Sequence, residues 1–198
     1  MRPLAFSGQL PFTIIFWIAV AVWILPEMFS SRRMQSGDRS RSTDRGSMFL
    51  VIGASFFGAW LAVWLAIHVD SAAIRQHRVG WFFTGVVLIL AGVALRRYAM
   101  FTLGRSFTFD VAVREGQRVI EAGPYRYIRH PSYTGGLIST IGFGLMLGSW
   151  ASLAAAPLCL FAAYIYRMHV EEAALLTALG DLYRSYIGRT RRLVPFLY

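Results

Sequence analysis

From Tyr133 to Tyr166 the chain runs 34 residues without a charged side chain. As one straight helix that run would be about 50 Å long, against a bilayer hydrocarbon core of about 30 Å. It is too long for a single crossing, so it reads as two helices folded back on each other. This hairpin occupies 133–166, with Gly148-Ser149-Trp150 as its turn and Trp150 at the membrane interface. Three further uncharged runs, Leu10–Pro26, Met48–Val69 and Val79–Leu95, each reach the roughly 17–25 residues that a spanning helix needs. The expectation is an all-α integral membrane protein: five transmembrane helices, followed by a cytosolic C-terminal amphipathic helix.

Composition agrees. The chain is 56% hydrophobic and 15% charged, where a soluble domain carries about 25% charged residues. Every basic residue is Arg. Five lie in 30–47, seven in 96–132 and four in 168–198, with Arg167 at a span end; only Arg2, Arg75 and Arg78 fall elsewhere. The positive-inside rule then places the N-terminus outside and the C-terminus in the cytosol. Topology and attraction to anionic headgroups explain the net charge of +10, and nucleic-acid binding is not expected. Residues 1–28 read as a retained first span and not a cleaved leader, because one Arg precedes a long apolar run and an Arg-rich stretch follows it. Cys159 lies among Ala and Leu and reads as a small apolar filler.

Ser30–Ser47 is an Arg/Ser/Asp-rich cytosolic loop, and Arg96-Arg97 mark where the third span meets the cytosol. Phe101–Glu121 mixes charged and apolar residues and should lie along the membrane surface. Glu171–Ile187 reads as one amphipathic helix with Leu175, Leu179, Leu182 and Tyr186 on its packing face and Gly188 as its stop.

Two polar clusters interrupt this apolar chain. The first is Gly123-Pro124-Tyr125-Arg126-Tyr127-Ile128-Arg129-His130-Pro131-Ser132-Tyr133-Thr134-Gly135-Gly136. Pro131 is suited to the first position of a helix, and the N–H groups that follow it make a site for a carboxylate or phosphate, reinforced by Arg126 and Arg129. A belt of interfacial anchors is the simpler reading, but an anchor needs one or two such residues. The second is Arg167-Met168-His169-Val170-Glu171-Glu172. A local Arg167–Glu171 pair is worth only a few tenths of a kcal/mol. An Arg and two carboxylates at the end of an apolar span are costly unless partnered, and an anionic substrate and a cationic or hydroxyl-bearing cofactor would serve. His68, His77, His130 and His169 are dispersed, and no metal site is expected.

At these residues the chain resembles the isoprenylcysteine carboxyl methyltransferase family, related more loosely to the phospholipid N-methyltransferases. The likeness covers about 96–198. It comprises the first cluster, the hairpin, an Arg before Glu-Glu, and Leu179-Gly180-Asp181-Leu182-Tyr183-Arg184-Ser185-Tyr186 with Pro195. The chain is then a single membrane domain, with three spans in 1–95 and a cofactor-binding and catalytic half in 96–198. The resemblance implies S-adenosylmethionine bound on the cytosolic side by His130, Pro131, Ser132, Tyr133, Tyr125 and the preceding Gln117-Arg118-Val119-Ile120. Relatives usually have His at the Gln117 position. The resemblance also implies that Arg167 orients the substrate and that Glu171 faces the cofactor, with Glu172 beside it.

A carboxylate acceptor is already ionised and needs no base, so alignment and exclusion of water suffice. A thiol or amine acceptor would need one, and Glu172 or His169 would be candidates. The exclusive use of Arg points to a GC-rich prokaryotic genome, hence to the inner membrane and to a small lipophilic substrate in place of a prenylated protein. Two other readings stand beside this one. Membrane sterol-type reductases share a similar His-Pro-x-Tyr-x-Gly box and bind NADPH, and a non-catalytic membrane subunit would use both clusters as anchors.

Overall fold

The computed structural model describes residues 9–33, 46–104 and 119–195, with the side chains of 29–33 excepted. Among the described residues six α-helices form: α1 (Leu10–Arg33), α2 (Ser47–His68), α3 (Arg78–Leu103), α4 (Pro131–Met146), α5 (Trp150–Leu179) and α6 (Asp181–Arg189). Among the described residues there are no strands, only two isolated bridges, Ala73 with Ser149 and Ile128 with Arg191. Among the described residues four helices, α1 over Leu10–Met28, α2, α3 and α5, are long and apolar enough to cross a membrane. This is an integral, multi-pass membrane protein.

Helices α4 and α5 fold back on each other, but α5 begins at Trp150 and runs past the expected end at Tyr166 to Leu179. The turn is Leu147-Gly148-Ser149, where Gly148 takes φ +68° and the Ser149 hydroxyl accepts from Ser152 N at 3.3 Å to start α5. Ile74 N, in the loop between α2 and α3, donates to Gly148 O at 2.9 Å. One end of the bundle is therefore built from the 69–77 and 147–149 loops. At the other end the start of α4 meets the late turns of α3 and α5. The 16 residues of α4 make a rod of about 24 Å between these two ends.

Helices α3 and α4 approach backbone to backbone. Gly85 and Gly92 face Gly142 and Gly135, and a Cβ on any of the four would stand 2.5 Å from a facing carbonyl oxygen. Small residues at this spacing are how membrane helices gain close contact, since lipid offers no hydrophobic penalty to escape. Gly135 admits the backbone of α3, and Gly136 admits the Tyr164 hydroxyl. Helix α1 packs on α3 and α2 on α5, with Phe16, Phe82, Ile89, Phe143 and Met146 in the core between them.

Helix α3 continues past Arg96-Arg97 to Leu103. Two expectations about the C-terminal half are corrected. The single amphipathic helix Glu171–Ile187 does not form, because α5 runs on to Leu179 and stops at Gly180, whose φ is +56°. That break shifts the register of the next helix, so that Leu182 is 71% exposed while Tyr183 and Tyr186 are buried. Helix α6 then passes through Gly188 to Arg189. Most of the loop 30–47 and of the surface segment 101–121 lies outside the described residues.

Candidate active site

The polar end of the bundle is organised by Pro131, the first residue of α4, which is fully buried. Just before it, a short 3₁₀ turn over Gly123–Arg126 buries Tyr125. Residues 127–130 then run beside the C-terminal segment. Arg191 N donates to Tyr127 O at 3.1 Å, Arg129 N to Arg191 O at 2.7 Å and His130 N to Arg192 O at 3.0 Å. Thr134 Oγ1 donates to Leu193 O at 2.7 Å, and the Tyr186 hydroxyl to Tyr125 O at 2.7 Å. The residues after α6 thus form a strap across the entry to α4. Burial pushes the phenols of Tyr125, Tyr183 and Tyr186 well up, so all three stay neutral hydrogen-bonding groups.

Two adjacent glutamates on α5 have different environments. Glu172 has a side chain only 8% exposed. It accepts from Arg129 Nε at 2.8 Å, His130 Nε2 at 3.1 Å and an Arg192 terminal nitrogen at 2.8 Å. The His130 contact takes the tautomer with its proton on Nε2. Arg129 also donates to Thr190 O at 2.6 Å. Glu171 has a 32% exposed side chain and accepts from the Tyr133 hydroxyl at 2.7 Å. His130 Nδ1 lies 3.7 Å from the same Glu171 oxygen.

Arg167 is 5% exposed. Its Nε donates to the Tyr133 hydroxyl at 2.9 Å and its NH1 to Ser47 Oγ at 3.0 Å, which together fix the plane of the guanidinium. The Tyr133 hydroxyl therefore accepts from Arg167 while donating to Glu171, so these two residues of the second sequence cluster meet through a residue of the first. The Tyr133 ring stacks on His130 (centroids 5.2 Å apart) and on Tyr164 (4.5 Å).

A third group was missed by sequence reasoning. Arg96 turns inward, clasping Glu27 of α1 with Nε at 2.6 Å and NH2 at 2.7 Å and donating from NH1 to Ser132 O at 3.1 Å. Glu27, Ser47, Tyr164 and Arg192 were not singled out. A carboxylate directly after Pro26 at a span end was the only local signal among them.

Of the expected cofactor residues, Tyr125, His130, Pro131, Ser132, Tyr133 and Glu171 gather at this end of the bundle. Val119 and Ile120 are half-buried, and Gln117 and Arg118 lie outside the described residues. Arg129 turns to Glu172. Arg126 is exposed and lines a separate cavity with Tyr127. Among the described residues no three His, Cys, Asp or Glu side chains group as metal ligands.

The isoprenylcysteine carboxyl methyltransferase (ICMT) family model matches residues 85–177. That span takes in most of α3, all of α4 and nearly all of α5, and omits Glu27, Ser47 and the strap. The chain is 33% identical over 121 residues to a probable protein-S-isoprenylcysteine O-methyltransferase of Oryza sativa subsp. indica, covering 59% of this chain and 63% of that one. It is 34% identical over 128 residues to protein-S-isoprenylcysteine O-methyltransferase B of Arabidopsis thaliana, covering 63% and 64%. With the protein-S-isoprenylcysteine O-methyltransferase of Homo sapiens it shares 25% identity over 173 residues, 85% of this chain and 61% of that one. The chain thus spans somewhat less than two thirds of the length of these relatives. Over residues 85–177, just under half of its length, the chain is similar to the isoprenylcysteine carboxyl methyltransferase family, and the relatives it matches carry that family's name.

Proposed function

We propose that this protein is an S-adenosylmethionine-dependent methyltransferase that esterifies a lipid-linked carboxylate at the Arg-rich, cytosolic face of a prokaryotic inner membrane. One observation carries the reading. The Tyr133 hydroxyl joins Arg167, the cation suited to an acceptor carboxylate, to Glu171, the carboxylate suited to a cationic cofactor. Helix α4 reaches from this end to the loop beside Ile74, which supports five crossings.

The donor set fits a sulfonium cofactor bearing an amino acid and a nucleoside. It offers an accessible carboxylate in Glu171, a neutral phenol in Tyr125 and the stacked rings of His130, Tyr133 and Tyr164. His130, Tyr125, Glu171 and the 117–120 segment would hold the cofactor, and Pro131 and Ser132 set the helix entry against which it rests. Bound there, S-adenosylmethionine supplies an electrophilic methyl group. Arg167 holds the acceptor carboxylate in line, Tyr133 keeps the guanidinium oriented, and the buried surroundings exclude water. An ionised carboxylate needs no base, and Glu172, enclosed by two guanidiniums and an imidazole, is a structural group here and not a proton acceptor.

The names of the relatives specify a protein-linked isoprenylcysteine, which joins a carboxylate to an apolar chain. The acceptor proposed here has that chemistry, carried by a protein or by a small lipophilic acid. The test uses purified protein, tritiated methyl donor, and either S-farnesylcysteine or a membrane lipid extract. A labelled, base-labile product supports ester formation, and the substrate that yields it separates the two sources. A base-stable product would overturn the carboxylate assignment. Calorimetry that detects NADPH binding but no S-adenosylmethionine binding would overturn methyl transfer itself.

A further inference from the structure

Beside the strap, on the molecular surface, lies a cavity of about 210 Å³ lined by Arg126, Tyr127, Gly188, Arg189, Arg191 and Pro195. Three arginines from two backbone segments, 126–127 and 188–195, line it. Arg189 shares its charge with Glu121 at 3.0 Å. Among the described residues the side chains of Arg126 and Arg191 have no hydrogen bond or ion pair. Like charges gathered around one concavity repel unless an anion sits between them, and planar guanidiniums match the oxygens of a phosphate.

Position selects which phosphate. Helix α4 spans about 24 Å of a hydrocarbon core of about 30 Å, so its first residue lies near the boundary of that core. Tyr127 and Arg191 stand just outside that first residue, joined by the hydrogen bond from Arg191 N to Tyr127 O. The cavity therefore sits in the headgroup layer. Exposed Tyr127 and Val194 beside it suit that layer, since an aromatic ring with a hydroxyl and an apolar side chain together favour the interface.

We infer that this cavity is a binding site for the phosphate of an anionic phospholipid headgroup, held by Arg126, Arg189 and Arg191 with the Tyr127 hydroxyl as a further donor. The site is separate from the Glu171–Tyr133–Arg167 group and does not depend on the reading of that group as a methyltransferase centre. A lipid seated there would brace the strap, whose other side carries Arg192 to Glu172.

The experiment is native mass spectrometry of the full chain in detergent, titrated with phosphatidylglycerol or phosphatidylcholine. Wild type should retain phosphatidylglycerol preferentially. Arg126→Gln should weaken that binding about fivefold, the effect of one basic residue at an anionic surface, and Arg126→Gln with Arg191→Gln should do so about 25-fold. The control pair Arg75→Gln with Arg184→Gln removes the same charge elsewhere and should keep the preference. Equal loss in both pairs, or no preference in wild type, would overturn the site. Millimolar inorganic phosphate should leave the lipid bound; displacement by it would overturn the lipid assignment in favour of a soluble phosphate. Unchanged thermal midpoints show that the exposed arginine variants are folded, so loss of lipid there reports binding.

Discussion

Arg129 and Glu172, 43 residues apart in sequence, meet at 2.8 Å in a place where both side chains are only 8% exposed. The same carboxylate receives His130 and Arg192, so one side chain of α5 ties together the residues before α4 and the strap after α6. Removing one partner of a buried ion pair leaves the other charge uncompensated, at a cost of about 3–5 kcal/mol.

Glu172→Gln should therefore lower the thermal midpoint in detergent more than any other single change at this end of the bundle. Glu171→Gln, at a half-exposed site with one hydrogen bond from Tyr133, should leave the midpoint near wild type and weaken cofactor binding instead. Calorimetry and melting on the two variants check the division. A stable Glu172→Gln protein that has lost only cofactor affinity would reverse the roles given to the two glutamates.

Glu27→Gln should destabilise by up to about 3 kcal/mol, because Arg96 is largely buried and both of its contacts with Glu27 are charge-assisted. Arg96→Lys should not substitute, since a single ammonium cannot clasp both carboxylate oxygens and reach Ser132 O as well. Melting in the same detergent reads both variants. Unchanged midpoints would mean that α1 is held to the bundle by its apolar face alone.

Gly92→Ala should cost about 1–3 kcal/mol, since its new methyl group would collide with Gly135 O and force α3 from α4. Gly53→Ala on α2 meets nothing within 4 Å and should be neutral or gain about 0.5–1 kcal/mol of helix propensity. The pair separates a packing effect from an intrinsic one, and melting that ranks them in the opposite order would refute backbone contact between α3 and α4.

The apolar helices were legible because charge is absent from them, and the hairpin because 34 uncharged residues exceed one crossing. The Arg167, Glu171 and Tyr133 group was legible as residue types but not as a chain of hydrogen bonds, since its link runs through a tyrosine hydroxyl on another helix. The partners of Arg96 were not legible, because a charge at a span end looks the same whether it turns to water or to a carboxylate. The strap was invisible: its pairing with 127–130 uses backbone groups, which leave no side-chain pattern. The break at Gly180 had a signal in the Leu-Gly-Asp run, a helix stop followed by an acidic first turn, but the continuing leucine spacing masked it.

The uneven distribution of Arg predicts sidedness. Single cysteines placed in loop 70–78 and on exposed α6, in a chain with Cys159 replaced, should label from opposite sides of sealed vesicles, with the α6 site facing the cytosol. The fold already places these two segments at opposite ends of α4. Labelling of both from one side would overturn the five-span arrangement.

Arg167→Ala should lower the rate of methyl transfer by about 10²–10³-fold, the loss of roughly 2–4 kcal/mol of charge stabilisation in a water-poor site. Tyr133→Phe keeps the ring stacked between His130 and Tyr164 but removes the hydroxyl that holds Arg167 and donates to Glu171. A hydrogen bond to a charged group is worth about 1.5–3 kcal/mol, so this change should cost about 10–100-fold. If Tyr133 acts by aiming the guanidinium, its loss should matter little once Arg167 is gone. The double variant should then resemble Arg167→Ala alone, as expected of residues in one hydrogen-bonded unit. Strictly multiplicative losses would show that the two side chains act independently, and a near-normal rate for Arg167→Ala would reduce that arginine to a structural contact.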